Sequence, residues 1–145
     1  MRRLVSALTL GMLVAGLMAA PVLAKAEKVD LIGCPINGIT GGGGAVVFNN
    51  SSGPNNLKVT VQLKNGTPDT AYDVYVFVDG LWYGGALAGA VTTNGVGNAT
   101  FHMNGALIAG THYMAIDVVL TGSSSDVYET PGIHASPFGI PMTFE

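Results

Sequence analysis

Leu57-Lys58-Val59-Thr60-Val61-Gln62-Leu63-Lys64 is the stretch that decides the fold class of this chain. Apolar and polar residues alternate along it. A backbone of period two therefore places Leu57, Val59, Val61 and Leu63 on one face and Lys58, Thr60, Gln62 and Lys64 on the other. A helix would scatter the same residues around its circumference. The pattern returns at Tyr72, Val74, Val76 and Val78, which alternate with Asp73, Tyr75, Phe77 and Asp79. Asp79-Gly80 then reads as a tight turn into Leu81-Trp82-Tyr83.

Working outward, the runs Gly44–Phe48, Ala86–Thr93, Asn98–Met103, Thr111–Leu120, Asp126–Glu129 and Ile140–Phe144 also read as strands. The Gly41–Gly44 run and the Asn49–Asn56 stretch read as loops. No segment after residue 24 predicts a helix of any length. About seven to nine short strands at this spacing predict an all-β antiparallel sandwich. One hairpin is expected in detail. Ala99, Phe101 and Met103 form an apolar face, as do Met114, Ile116 and Val118, so Phe101 is expected opposite Met114. That register turns His102 outward and leaves His112 at the edge of the apolar face.

Ahead of these strands lies a segment of a different kind. Arg2 and Arg3 precede an apolar run from Leu4 to Ala20, Pro21 breaks it, and Val22-Leu23-Ala24 supplies a small-residue cleavage site. This is the plan of a secretory signal peptide, with cleavage expected after Ala24. The remaining residues 25–145 read as one domain: residues 25–56 give N-terminal strands with Gly- and Asn-rich loops, and 57–145 give the body. The full chain of 145 residues carries a formal charge of −3. Loss of the leader removes both arginines and leaves four lysines against nine acids, a charge of −5. Nucleic acid is excluded as a partner on that ground, because phosphate recognition rests on clustered Lys and Arg. No membrane span is expected in the processed chain.

Cys34 is the only cysteine, so no internal disulfide supports the fold. Leu31-Ile32-Gly33-Cys34 spells a lipoprotein box. The charges at Lys25, Glu27, Lys28 and Asp30 separate it from the apolar helix, so the sequence favours a buried cysteine.

Three stretches resemble bacterial immunoglobulin-like and fibronectin-type domains. Thr67-Pro68-Asp69-Thr70-Ala71-Tyr72-Asp73-Val74 is similar to their "Pro-Asn-Thr-x-Tyr-x-Val" strand entry. Thr93-Asn94-Gly95-Val96-Gly97-Asn98-Ala99-Thr100-Phe101 resembles their "Thr-x-x-x-Gly-x-Ala-x-Phe" turn and strand. Ala109-Gly110-Thr111-His112-Tyr113 resembles the "Pro-Gly-Thr-Tyr" start of a late strand, with His112 intruding. The resemblance spans residues 67–120. It implies an immunoglobulin-like sandwich of an adhesive or structural kind and brings no catalytic residues. The chain departs from true immunoglobulin domains in lacking the cysteine pair, and Trp82 follows a turn.

Chemistry-bearing residues are sparse. His102, His112 and His134 match no zinc spacing and read as surface, core-edge and loop histidines, with His102 and His112 the weak candidates for a metal site. There is no Gly-x-Ser-x-Gly, and no pair of carboxylates stands out. Asp73 and Asp79 share a strand face but lie ~20 Å apart. Asp69, Asp79 and Asp126 read as turn formers. Asn49, Asn50, Asn65 and Asn98 each begin an Asn-x-Ser/Thr triplet.

The aromatic residues are the best binding clue. If the Tyr75–Phe77 face is exposed, Tyr75, Trp82 and Tyr83 offer a platform for sugar rings. The apolar run from Val74 to Val78 instead favours burial of both strand faces. The expectation is a secreted or cell-envelope module without catalysis or cofactor, whose partner is a protein or a glycan. A carbohydrate-binding module and a histidine-based metal protein are the alternatives.

Overall fold

The computed structural model describes residues 25–34, 37–38 and 41–145. The leader read in residues 1–24 lies outside them. Among the described residues ten strands form: β1 (Ala26–Gly33), β2 (Gly43–Asn50), β3 (Leu57–Lys64), β4 (Ala71–Val78), β5 (Leu81–Trp82), β6 (Gly89–Thr92), β7 (Ala99–Gly105), β8 (Gly110–Leu120), β9 (Asp126–Glu129) and β10 (Ile140–Phe144). A 3-10 turn lies at Tyr83–Gly85. No helix among these residues is long and apolar enough to cross a membrane.

The strands join into one curled antiparallel sheet in the order β5-β4-β8-β9-β1-β2-β3-β7, with β10 added to β8 and β6 to β4. Two arms can be distinguished. In the first, β1, β2, β3 and β7 pair in sequence; in the second, β8 lies between β4 and the β9 and β10 strands. β1 connects the arms, pairing β2 through residues 26–31 and β9 through Ile32 and Gly33.

The alternation of β3 holds in full: Leu57, Val59, Val61 and Leu63 are buried, while Lys58, Gln62 and Lys64 are exposed. Those four side chains enter a core with Val46 and Phe48 of β2, Tyr72, Val74 and Val76 of β4, and Met114, Ile116 and Val118 of β8. Both arms thus feed one apolar interior, the main driving force for folding. Cys34 is buried just after β1, and its N–H donates to the Val127 carbonyl.

Two turn readings are met closely. Val78 pairs with Leu81 across Asp79-Gly80, whose φ angles of 53° and 80° are those of a two-residue hairpin turn with both residues left-handed. Asp69, with φ 50°, is also a turn residue. Asp126 is not: it opens β9.

Three expectations are corrected. The Phe101–Met114 hairpin does not form. Phe101 pairs with Val61 of β3, and Met114 pairs with Val78 of β4 and Ile140 of β10. Residues 106–109 carry the chain from one arm to the other. Alternation fixes which face of β7 is apolar, but the valines of β3 satisfy that face as well as β8 would. Second, β1 lies within the 25–56 region expected to hold N-terminal strands, but at a position no run marks, because its charged residues mask the strand. Third, Gly43 lies in β2 rather than in a loop, and Gly44 follows it there as the Gly44–Phe48 run predicts. A Cβ on Gly44, at φ 142°, would sit 1.8 Å from the Gln62 carbonyl oxygen, so glycine permits the close approach of β2 and β3.

A cleft on the outer face of the second arm

Period two sends Val74 and Val76 of β4 into the core, so Tyr75 and Phe77 face outward. Neither is fully buried within the chain. The register sets Phe77 opposite Trp82 on one side and Ala115 on the other, and Tyr75 opposite Asp117. The two-residue turn at Asp79-Gly80 makes this possible by folding Trp82 back beside β4. The Tyr75 and Trp82 rings lie 5.3 Å apart at 37°, and Phe77 meets Trp82 edge-on at 6.4 Å. Phe138 packs on the far side of Phe77 at 5.9 Å. Trp82 remains 52% exposed.

Opposite this wall stand carboxyl groups that β8 and β9 bring together. Asp117 pairs with Glu129, and Val119 pairs with Asp126. Two residues, Val127 and Tyr128, separate Asp126 from Glu129, which in a regular strand would put them on opposite faces. A bulge between Val118 and Val119 lets the register skip Val127, so both acids project on the outer side with Asp117. The resulting cleft of ≈ 260 Å³ is lined by Tyr75, Phe77, Trp82, Asp117, Val119, Ser123, Ser124 and Asp126.

The electrostatics of the cleft follow from this crowding. Burial, then a hydrogen bond to Asp126, then the charges of Asp126 and Glu129 push the Asp117 carboxyl up to about 8. At neutral pH the Asp117 carboxyl therefore favours its protonated form. Among the described residues Asp117 Oδ1 is a buried oxygen without a hydrogen-bond partner. Glu129 is buried, with its Oε2 3.0 Å from His134 Nε2. No lysine lies on β4, β5, β6, β8, β9 or β10; the four lysines are Lys25, Lys28 on β1, and Lys58 and Lys64 on β3.

Of the residues proposed from sequence for a sugar platform, Tyr75 and Trp82 meet in the cleft and Tyr83 does not. The Tyr83 hydroxyl accepts from the Ala106 N–H at 2.8 Å and reaches the Ala106 carbonyl at 3.1 Å, tying the 3-10 turn to the end of β7. The histidines stand on separate elements. His102 is exposed on β7, 3.1 Å from the Thr60 hydroxyl. His112 lies on β8 with Nδ1 2.7 Å from Asp79 Oδ2 and Nε2 3.1 Å from the Ile108 carbonyl. Both ring nitrogens face acceptors, an arrangement only the imidazolium satisfies with two donated bonds. The Asp79 hydrogen bond accordingly raises the His112 pKa and lowers that of Asp79. Among the described residues no group of three or more His, Cys, Asp and Glu is arranged to hold a metal ion.

Sequence reasoning missed Asp117 and read Asp126 as a turn residue. A signal was present: Asp117 is the single acid in the otherwise apolar run Met114–Leu120. Its partner was hidden, because the bulge that joins them leaves no mark in the spacing. Comparison with known proteins adds no assignment: no family model, curated protein or solved structure matches the chain.

Proposed function

We propose that the chain is a secreted or cell-envelope binding module without catalysis, which takes a saccharide in the cleft between Trp82 and Asp117. The single observation that carries this reading is the Tyr75–Trp82 ring pair, half-exposed and facing carboxyl and serine side chains across ≈ 260 Å³. Aromatic rings pack against the apolar faces of sugars, and carboxyl and hydroxyl groups take their ring hydroxyls. An isolated exposed tryptophan needs no such explanation; one that walls a polar cleft does.

The finer fold reading is an immunoglobulin-like sandwich. Two features support it: β3 pairs with β2 and β7 in one arm, and β8 lies between β4 and β9 in the other, with chain crossings at β3–β4, β6–β7 and β7–β8. The leader-like residues 1–24 support export to an extracellular setting where glycans are available.

A glycan array followed by titration of tryptophan fluorescence tests the saccharide reading. Saturable binding that shifts Trp82 emission and disappears in Trp82→Ala is expected. Binding that survives Trp82→Ala, or no binding across the array, overturns the reading.

A further inference from the structure

Residues of an antiparallel strand alternate between exchanging both backbone bonds with one neighbour and turning both groups the other way. On β7 the two ends set the phase. The Asn98 N–H donates to Asn94 Oδ1 and its carbonyl accepts from the Asn94 N–H, while the Ala106 N–H and carbonyl both meet the Tyr83 hydroxyl. Both residues therefore turn away from β3. The β3 side agrees: the Ser51 N–H donates to the Asn56 carbonyl, so even-numbered residues of β3 bond β2 and odd-numbered ones bond β7. Thr100, His102 and Asn104 share the phase of Asn98 and Ala106. Their three N–H groups and three carbonyls thus line the outer edge of β7, between two tied ends, and none bonds to another described residue.

The other sheet edges are blunted. β5 and β6 span two and four residues, and β10 carries Pro141 while its Thr143 carbonyl accepts from Asn50 Nδ2. β7 has seven residues with no proline, no lysine or acid and no bulge, and an edge of that kind is a template for another strand. We infer that β7 pairs with the β7 of a second copy of this chain, antiparallel about a two-fold axis at His102. Symmetry selects the second copy. Thr100 falls opposite the partner's Asn104 and His102 opposite the partner's His102, so all six open groups of each chain meet a complement at once. On the inner side Phe101 falls opposite the partner's Met103, a thioether–ring contact. Both side chains are only partly buried in the single chain, whereas the inner residues of β3 are fully buried. With no charged side chain on β7, no like charges are set opposite each other. The inference stands apart from the saccharide reading, since the cleft lies in the second arm.

Sedimentation velocity of the purified protein over a concentration series, with amide exchange followed by NMR at both ends of the series, tests this. A dimer that grows with concentration is expected, and with it slower exchange at the Thr100, His102 and Asn104 amides. The Phe101 and Met103 amides, bonded to β3, are expected to be protected throughout. Thr100→Pro removes one outward N–H from each copy, two of the six bonds, and leaves the β3 ladder its donors. It is expected to weaken dimerisation at least about tenfold. His102→Lys, at an exposed position, sets two ammonium groups opposite each other and is expected to give a folded monomer. A protein that stays monomeric across the series overturns the inference. So does a dimer that forms without slowing those three amides, or one unmoved by His102→Lys, because either places the contact elsewhere.

Discussion

The outer faces of β3 and β4 begin from one pattern and end in different states. On β3 the residues between the core positions are Lys58, Thr60, Gln62 and Lys64, and water covers them. On β4 they are Asp73, Tyr75 and Phe77, and only partial cover is found there. A polar face of this kind keeps one side of a strand soluble, as antiparallel sheets commonly allow. The β4 face spends aromatic side chains outside the core, and its neighbours β8 and β9 add three carboxyl groups. Groups that cost stability or solubility and contribute nothing to the interior are where function is to be sought.

The strongest way to break the comparison is to damage each arm and ask what is lost. Phe48→Ala in β2 removes a side chain with no exposure and is expected to cost about 3–5 kcal/mol, measured by urea unfolding. Trp82→Ala in the second arm is expected to cost under about 1 kcal/mol, because the side chain is half-exposed at a sheet edge, while abolishing saccharide binding. Equal destabilisation by the two would mean that the aromatic face is core after all.

The next effect is one of sign. Asp117 takes up a proton on folding, since its folded pKa of about 8 exceeds the ordinary value of 3.8. A group of this kind lowers stability as pH rises between those two values, because the unfolded chain ionises first. Asp117→Asn removes the titration and can donate an N–H to Asp126. It is expected to stabilise the protein at pH 8 by about 1–3 kcal/mol, the cost of a buried polar group without a partner, and far less at pH 4. Stability curves of the two proteins that run parallel between pH 4 and 8 would remove Asp117 from the electrostatics of the cleft.

How much of this was legible without coordinates differs between the arms for a physical reason. The strand nature of 57–64 and 72–78, their inner faces and the Asp79-Gly80 turn depend on local chemistry: period two and a dipeptide that tolerates positive φ. The partner of β7 does not, since β3 and β8 present equally apolar faces to Phe101. In the cleft, Tyr75 and Trp82 were recoverable because a two-residue turn must return Trp82 beside Phe77. Asp117 with Asp126 was not, because a bulge at Val118/Val119 changes which residues share a face without changing the sequence spacing. Tyr83 was misplaced for a related reason. Gly84, at φ 71°, lies within the 3-10 turn that follows Trp82, so the strand alternation stops there and Tyr83 reaches Ala106 instead.

A smaller effect concerns the hairpin that carries Trp82. Asp79 accepts from His112 and from the Tyr113 N–H at 2.8 Å, fastening the turn to β8. The raised His112 pKa means that this contribution is present below the ordinary value of 6.5 and lost as pH rises through the folded value. For Asp79 the lowered pKa gives the opposite limit: its contribution is present above 3.8 and lost as pH falls through the folded value. Asp79 is half-exposed, so solvent screening keeps the pair to about 0.2–1 kcal/mol. Asp79→Asn is expected to return the His112 titration toward 6.5 in an NMR pH series. An unchanged His112 pKa would show that the turn is held by its backbone alone.

The smallest expected effect sharpens the comparison most. Lys58 and Lys64 project from the β3 face into solvent, and neither enters an ion pair among the described residues. Replacing both with glutamine is expected to change stability by no more than about 0.5 kcal/mol. It also makes the protein two charges more negative without touching the cleft. If a saccharide is held by the Tyr75–Trp82 cleft itself, its affinity at 150 mM salt should stay within about twofold, because exposed charges beyond a Debye length of about 8 Å are screened. If affinity instead rises severalfold in the lysine variant, bulk acidity attracts the ligand. The distinction between a built face and a merely soluble one would then no longer hold.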